Sequence, residues 1–458
     1  MTKTKTGKNV DILEGNLFRS ILAFGFPLLL VSLLQSLFNA VDIAVLGQMA
    51  DTDAVASVGA TTTIVHLLLN LSLGISAGAK IVLARLVGER EKEKISQAVY
   101  TTVVTALAIG AIVLVIGVSL AGVFLKITSC PSGIYGGART YISIYFAAAP
   151  AIMLYNFGSN ILQAAGDSKR PLYYMAISGL LNVVLNFVLC LVLPNKVAAV
   201  AIATAASQVV GAILVLRRIL TLDGDCRFIP KKEKWSSHAF KKLMVNGIPI
   251  GLSSSLYSIA NLQIQSALNS FGPDAIAGNA AGTNIEGIVS AVSGVPWSAT
   301  AGVFISQNLG AGKKKRVTRS ILLCLAIPIT ISVVLSVSLL IFARPLLALF
   351  VDTDAAIKFG TLRVLYVSFP YFIATYNSIL DATIQSFGYS AFCTAKSILC
   401  VFVFRMIWMA FVYPLCPTFA VLMQCFLVSW ILISLVGTVF TLYLYFAKFK
   451  KDKISKMG

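Results

Sequence analysis

Charged residues are scarce in this chain. Only 12% of its 458 residues are Asp, Glu, Lys or Arg, against about 25% in soluble domains. Acids are the scarcer kind, 18 against 37 Lys and Arg. Histidine is nearly missing: His66 and His238 are the only two, and neither forms the HExxH pattern of a zinc peptidase. The eight cysteines show no metal-ligand spacing, and Cys190, Cys324, Cys400 and Cys425 fall within apolar runs, where packed thiols are expected. A phosphate loop is also missing. Gly310-Ala311-Gly312-Lys313 has part of the pattern, but Gln307 and Lys314 stand where it needs Gly and Ser or Thr. No clustered His/Asp pairs suit a membrane-embedded transferase. These absences argue against an enzyme and against ATP as the source of energy.

Apolar side chains take the place of charge. They make up 57% of the chain, and its mean hydropathy is +0.86. A transmembrane helix needs about 20 mostly apolar residues. Such runs place twelve spans near 17–47, 54–86, 93–125, 134–165, 169–193, 197–220, 239–270, 275–309, 315–343, 355–386, 389–413 and 418–447. The expected fold is an all-α polytopic membrane protein. With the N-terminus in the cytoplasm, 29 of the 37 Lys and Arg fall on the cytoplasmic side and six on the other, while Lys80 and Arg405 lie within spans. That asymmetry is the positive-inside rule. It puts both termini in the cytoplasm and accounts for the net charge of +19 without nucleic acid. Met1 to Asn16 is polar and basic with no small-residue cleavage site after the first apolar run, so no removed leader is expected.

The chain repeats itself at an offset of 222 residues. Pro27 falls on Pro249, Asn39 on Asn261, Gly88 on Gly310, Gln163 on Gln385, Gly166 on Gly388 and Ser168 on Ser390. The matches at turns carry the most weight, because apolar helices match easily. Six spans per repeat is an even number, so both halves face the same way, as parallel repeats about an axis along the membrane normal. The expected division is a six-helix lobe over 1–220, a cytoplasmic linker over 221–242 and a second six-helix lobe over 243–458, with a central cavity between lobes. Trp235 and Phe240 beside lysines suit a linker segment lying at the interface.

Polar side chains inside spans are costly and mark function. Gln35, Asn39 and Asp42 follow at i, i+4 and i+7 on one face of the first span. Facing into the protein, Asp42 is an acid able to exchange a proton; near the outer end, it can instead reach the interface. Asn182 and Asn186 form a second polar face, open to three uses: partners for Asp42, ligands for a cation, or interhelical packing. Asn156, Asn160 and Gln163 make a third stripe, and Thr204 permits close helix approach. At the 222 offset Asp42 meets Ile264, Asn182 meets Phe404 and Asn186 meets Trp408, so this polar cluster is expected in the first lobe alone. The second lobe has Glu286 and Arg405, which either pair or line the cavity. Asp381 and Lys80, near cytoplasmic ends, are expected to reach water.

Taken together, these residues resemble the multidrug and toxic compound extrusion (MATE) family. The resemblance rests on Gly25-Phe26-Pro27, on Phe38-Asn39-Ala40-Val41-Asp42, on Gly166-Asp167-Ser168-Lys169-Arg170-Pro171, on Asn182 with Asn186, on Ala201-Ile202-Ala203-Thr204 and on Gln307-Asn308-Leu309-Gly310-Ala311-Gly312-Lys313. It implies an antiporter of the bacterial inner membrane that expels organic, cationic amphipathic compounds in exchange for H+ or Na+ by alternating access. No cofactor is implied, only the coupling ion. Small organic substrates and membrane lipids are the expected partners, and a monomer the expected state. Asp42 matches the family's ion-coupling aspartate, with Asn182, Asn186 and Thr204 as its partners and Na+ as an alternative occupant at Asp42, Asn182 and Asn186. Gln35, Asn39, Asn156, Asn160, Glu286 and Arg405 are the expected substrate-facing residues. Many DinF-like relatives carry Asp where this chain has Asn186. Tyr257 stands nearest to the seventh-helix glutamate of the NorM-like branch, which points to the DinF-like one. A lipid-linked precursor flippase of the same superfamily is the alternative.

Overall fold

The structure, a computed structural model, describes residues 10–49, 52–128, 130–230 and 234–447, and among these there is no strand. Twelve helical passes follow one another. In the first half these are α1 (Leu17–Met49), α2 (Thr52–Glu89), α3 (Lys92–Ser119), α4 (Ser132–Ala147 and Ala149–Ala164), α5 (Lys169–Val192) and α6 (Lys196–Leu220). The second half holds α7 (Ser237–Asn269), α8 (Pro273–Ser293 and Val295–Gly310), α9 (Lys314–Ile341), α10 (pieces between 354 and 386), α11 (Ser390–Leu415) and α12 (Phe419–Tyr445). Among the described residues, nine of these are long and apolar enough to cross a bilayer, and α4, bent by 47° at Ala148, is a tenth. The other two are less uniformly apolar or less continuous: α2 is laced with Ser, Thr and Gly, and α10 breaks at Pro370 behind a π turn, Val364–Ser368. Each pass lies within a few residues of its apolar run. The helical polytopic fold expected from the sequence is the fold observed.

The repeat is visible in the turns, where backbone geometry is most demanding. Gly166 and Gly388 both take left-handed φ, 87° and 91°. Each closes its helix with the same pair of bonds: Gly166 N to Gln163 O at 2.9 Å and Asp167 N to Leu162 O at 2.9 Å, against Gly388 N to Gln385 O at 2.8 Å and Tyr389 N to Ile384 O at 3.2 Å. This is the Schellman ending, which favours glycine because a Cβ is strained at positive φ. Arg90 holds a φ of 60° where the matching position is Gly312 at 66°.

The polar motifs at the helix ends turn out to be builders of these turns. Asp167 is buried; its Oδ1 accepts from the Arg170 backbone N at 3.1 Å, and its other oxygen pairs with the Arg170 guanidinium, which fixes the start of α5. Lys313 Nζ donates to Leu13 O at 2.9 Å, and Arg316 donates to Ile12 O at 2.9 Å and Gly15 O at 2.8 Å. Lys313 and Arg316 thus anchor the segment leading into α1, whose first turn is capped by Asn16 Oδ1 on Arg19 N at 3.1 Å.

By internal contacts the chain forms two compact units. One holds Phe26–Gly251 with the stretch ending at Asp11; the other holds Ile12–Gly25 with the chain from Leu252 onward. Both α1 and α7 therefore change unit along their length, within two residues of Pro27 and Pro249. In the second unit, Gly25 makes room for Trp297, since a Cβ there would lie 2.8 Å from the indole Cζ3. Beside it Phe24 meets Phe304 edge-on at 5.6 Å. In the first unit, two Gly-x-x-x-Gly stripes face each other: Gly74 and Gly78 of α2 against Gly247 and Gly251 of α7. A Cβ on Gly78 would stand 2.5 Å from Gly247 Cα, and one on Gly247 would stand 2.5 Å from Ile75 Cα. Backbone-to-backbone approach of this kind is the usual route to helix association in lipid, where apolar burial gives no drive. Valine at Gly78 or Gly247 is expected to force α2 and α7 apart and cost about 1–3 kcal/mol. Thermal unfolding in detergent checks this: both variants melt lower, whereas Gly59→Ala, with open space at its Cβ, does not.

Candidate functional site

The first polar cluster forms because α5 has a glycine where α1 has a ring. A Cβ on Gly179 would run into the Phe38 ring, so the pair Phe38–Gly179 sets how α1 meets α5. Asp42 follows Phe38 by one helical turn and Asn186 follows Gly179 by two. The two side chains meet: Asn186 Nδ2 donates to Asp42 Oδ1. The same amide donates to Asn182 Oδ1 at 3.4 Å, and Asn182 Nδ2 donates to Thr204 Oγ1 on α6, also at 3.4 Å. A chain of amides thus links Asp42 to α6. Asn182 and Asn186 are buried, and Asp42 is half-buried.

Two features of this cluster bear on its chemistry. Among the described residues, no Lys or Arg forms an ion pair with Asp42. Beside it, the buried Asn186 Oδ1 has no hydrogen-bond partner. An unsatisfied buried polar atom costs about 1–3 kcal/mol. A proton carried by Asp42, or an alkali cation, would supply what that oxygen lacks and neutralise the carboxylate too. Tyr141 and Tyr145 of α4, stacked at 6.0 Å, lie within electrostatic reach of Asp42. Sequence reasoning passed them over, although two tyrosines at i and i+4 on an apolar helix were the available signal.

The remaining expected positions divide. Gln35 is exposed and joins none of these bonds, and the side chain of Asn39 lies outside the described residues. Asn156 donates to Ile152 O of its own helix at 2.8 Å, and Asn160 donates to Ser76 Oγ on α2 at 2.9 Å. Lys80, expected to reach water, is instead buried, with its Nζ 3.4 Å from Gln163 Oε1. Its position two turns inside α2, facing α4, leaves the side chain no path outward.

In the second unit Glu286 and Arg405 do not form an ion pair with each other. Glu286 pairs with Arg363 at 2.6 Å, and Arg363 also donates to Asn279 at 2.7 Å. Arg405 donates to Asn261 at 2.7 Å and to Ser429 at 3.2 Å, with its guanidinium 4.4 Å from the Phe426 ring centroid. Arg363 is among the six outer cations of the positive-inside count and Lys396 among the 29 cytoplasmic ones, yet both are buried. Lys396 pairs with Asp381 at 2.7 Å, so this acid, like Glu286, has a basic partner. The second lobe therefore has charged clusters of its own. The offset hid them, since Asn377, Asp381 and Lys396 fall on Tyr155, Ser159 and Tyr174. The three buried cations of the second unit, among the described residues, adjoin π turns: Arg363 precedes Val364–Ser368, Lys396 lies just before Ile398–Val403, and Arg405 sits between that turn and Trp408–Val412. Such wide turns are frequent at functional sites.

The MatE family model matches residues 27–188 and again residues 249–411. Its two matches begin 222 residues apart (249 minus 27), which is the offset of the internal repeat. The chain belongs to the MATE family. Among curated relatives, "Probable multidrug resistance protein YpnP" of Bacillus subtilis is 26% identical over 83% of this chain and 85% of its own length. The "FAD transporter" of Shewanella oneidensis is 25% identical over 79% and 80%. Among solved structures, the MATE transporter VcmN of Vibrio cholerae superposes with a TM-score of 0.88 at 18% identity, covering 94% of this chain and 98% of that one. A MOP superfamily transporter from Pyrococcus furiosus gives 0.85 at 19%, covering 96% and 98%. This MATE chain is thus a multi-pass membrane transporter with the twelve-helix fold.

Breaking a buried ion pair by removing one partner costs about 3–5 kcal/mol, while replacing both is often close to neutral. Glu286→Gln is therefore expected to lower the unfolding midpoint of this MATE protein sharply, and the apolar pair Glu286→Leu with Arg363→Met to restore most of it. Fluorescence-detected melting of the two variants reads the difference.

Proposed function

We propose that this MATE transporter is an antiporter that exports organic, cationic amphipathic solutes in exchange for H+ or Na+ at Asp42. The observation that carries the reading is Asp42 itself, held by the Asn186 amide with no pairing cation among the described residues, next to an amide oxygen with no partner. With Asp42 charged, a cationic solute entering from the cytoplasm or the inner leaflet finds a counter-charge. Arrival of the ion neutralises Asp42, the solute loses that attraction, and the chain changes its open side near Pro27 by alternating access. One charge moving through 100 mV yields about 2.3 kcal/mol, equivalent to a concentration ratio of roughly fifty. A single coupling ion therefore supports useful export. The relatives named above are described as a multidrug resistance protein and an FAD transporter, and neither description favours a lipid-precursor flippase.

Transport into proteoliposomes under separately imposed proton and sodium gradients tests the reading. A panel of organic cations, with FAD as an anionic comparison, identifies the solute. Asp42→Asn is expected to abolish gradient-driven transport while leaving solute binding measurable; wild-type rates in that variant would end the assignment.

The location we propose is a bacterial inner membrane, with both termini in the cytoplasm. Cys416 is exposed and lies between α11 and α12, on the outer side in this orientation. An impermeant maleimide added to intact cells should label it, and Cys416→Ser should remove most of that signal. Cys226, on the cytoplasmic side, stays unlabelled near neutral pH even in inverted vesicles. Burial, reinforced by the charge of Asp225, pushes its thiol up to about 12, and only the thiolate reacts.

A further inference from the structure

The carboxylates within the spans are neutralised unequally. Glu286 has Arg363 and Asp381 has Lys396, whereas Asp42 has only amide. The Asp381 site is the more unusual of the two pairs. Lys396 Nζ stands 2.7 Å from Asp381 Oδ1 and 2.8 Å from Asn377 Oδ1. Asn377 Nδ2 donates at 3.2 Å to Asp381 Oδ2, so the amide also braces the carboxylate's second oxygen. The lysine side chain is wholly out of solvent at 0%, while Asp381 keeps 21% exposure. Gly437 of α12 closes the far side, since a Cβ there would lie 2.9 Å from Nζ.

A compact unit charge held by a carboxylate oxygen and an amide oxygen has the ligand chemistry of a hard monovalent cation. The oxygens are positioned partly by each other, through the Asn377–Asp381 bond, and not by the lysine alone. We propose that Lys396 is a tethered cation: its ammonium occupies a monovalent-cation site built by Asp381 and Asn377, and so withholds that carboxylate from external ions. Resting on the antiport reading above, the consequence is that one external ion, at Asp42, drives each cycle. Without the lysine, the same oxygens form a second ion site.

The test removes the lysine and offers substitutes. Lys396→Ala and Lys396→Met are purified in an Asp42→Asn background, so that the first lobe contributes no ion response. Thermal unfolding is then followed in choline chloride, in sodium chloride and with added methylammonium. Saturable stabilisation by sodium or methylammonium is expected in both variants. It should be missing when Lys396 is intact, and lost again on adding Asp381→Asn. Variants that fold yet respond to neither cation overturn the proposal, as does a sodium response that survives Asp381→Asn. Should the variants fail to survive extraction in choline, recovery of at least tenfold more monodisperse protein in sodium supports it, and failure in both salts overturns it. None of these readouts involves transport, so a failure of the antiport reading would leave them standing. With Asp42 restored, Lys396→Met should raise the charge moved per solute by one, read from reversal potentials.

Discussion

An acid inside an apolar bundle needs its charge neutralised or its oxygens bonded, because the bilayer supplies neither water nor counter-ion. This protein resolves that constraint in two ways. Glu286 and Asp381 have basic partners within the same unit, at 2.6 and 2.7 Å. Asp42 has the Asn186 amide instead. An amide offers dipoles rather than a compensating charge, so the carboxylate stays dependent on something from outside. In the proposed antiport, the difference between a fixed ion pair and an amide-held acid separates residues that hold the fold from the one that gains and loses a cation.

The packing around each acid follows from small residues. Gly179 lets the Phe38 ring settle against α5 and so brings Asp42 to Asn186, and Gly437 leaves the space that Lys396 Nζ fills. Gly74 and Gly78 let α2 touch the backbone of α7. In lipid, where apolar burial between helices gives little drive, such close approaches and the polar bonds between helices must carry association. Asn160 to Ser76 and Lys80 to Gln163 tie α2 to α4 in the same manner.

Much of this was legible in the sequence, for identifiable reasons. Apolar runs longer than a bilayer needs gave the passes. Matches at turns gave the repeat, because Gly166 and Gly388 occupy left-handed positions with little tolerance for other residues. Spacing of 3.6 per turn put Asn182 and Asn186 on one face, where their bonds are found. Pairings between distant helices were not legible. Arg363, the partner of Glu286, is 77 positions away on another helix. The burial of Lys396 and Arg363 was hidden because both lie near the ends of apolar runs, where a long cation ordinarily reaches water. Asn156 looked like part of a polar stripe, yet its amide bonds to its own helix.

The central proposal is that Asp42, half-buried and held by the Asn186 amide, changes its charge state as the coupling ion binds and leaves. Infrared difference spectroscopy of the reconstituted protein, stepped between low and high proton or sodium concentration, observes this directly. The account predicts a carboxyl signal that responds to the coupling ion and vanishes in Asp42→Asn with the rest of the spectrum unchanged. A difference spectrum identical in that variant and the native protein would contradict it.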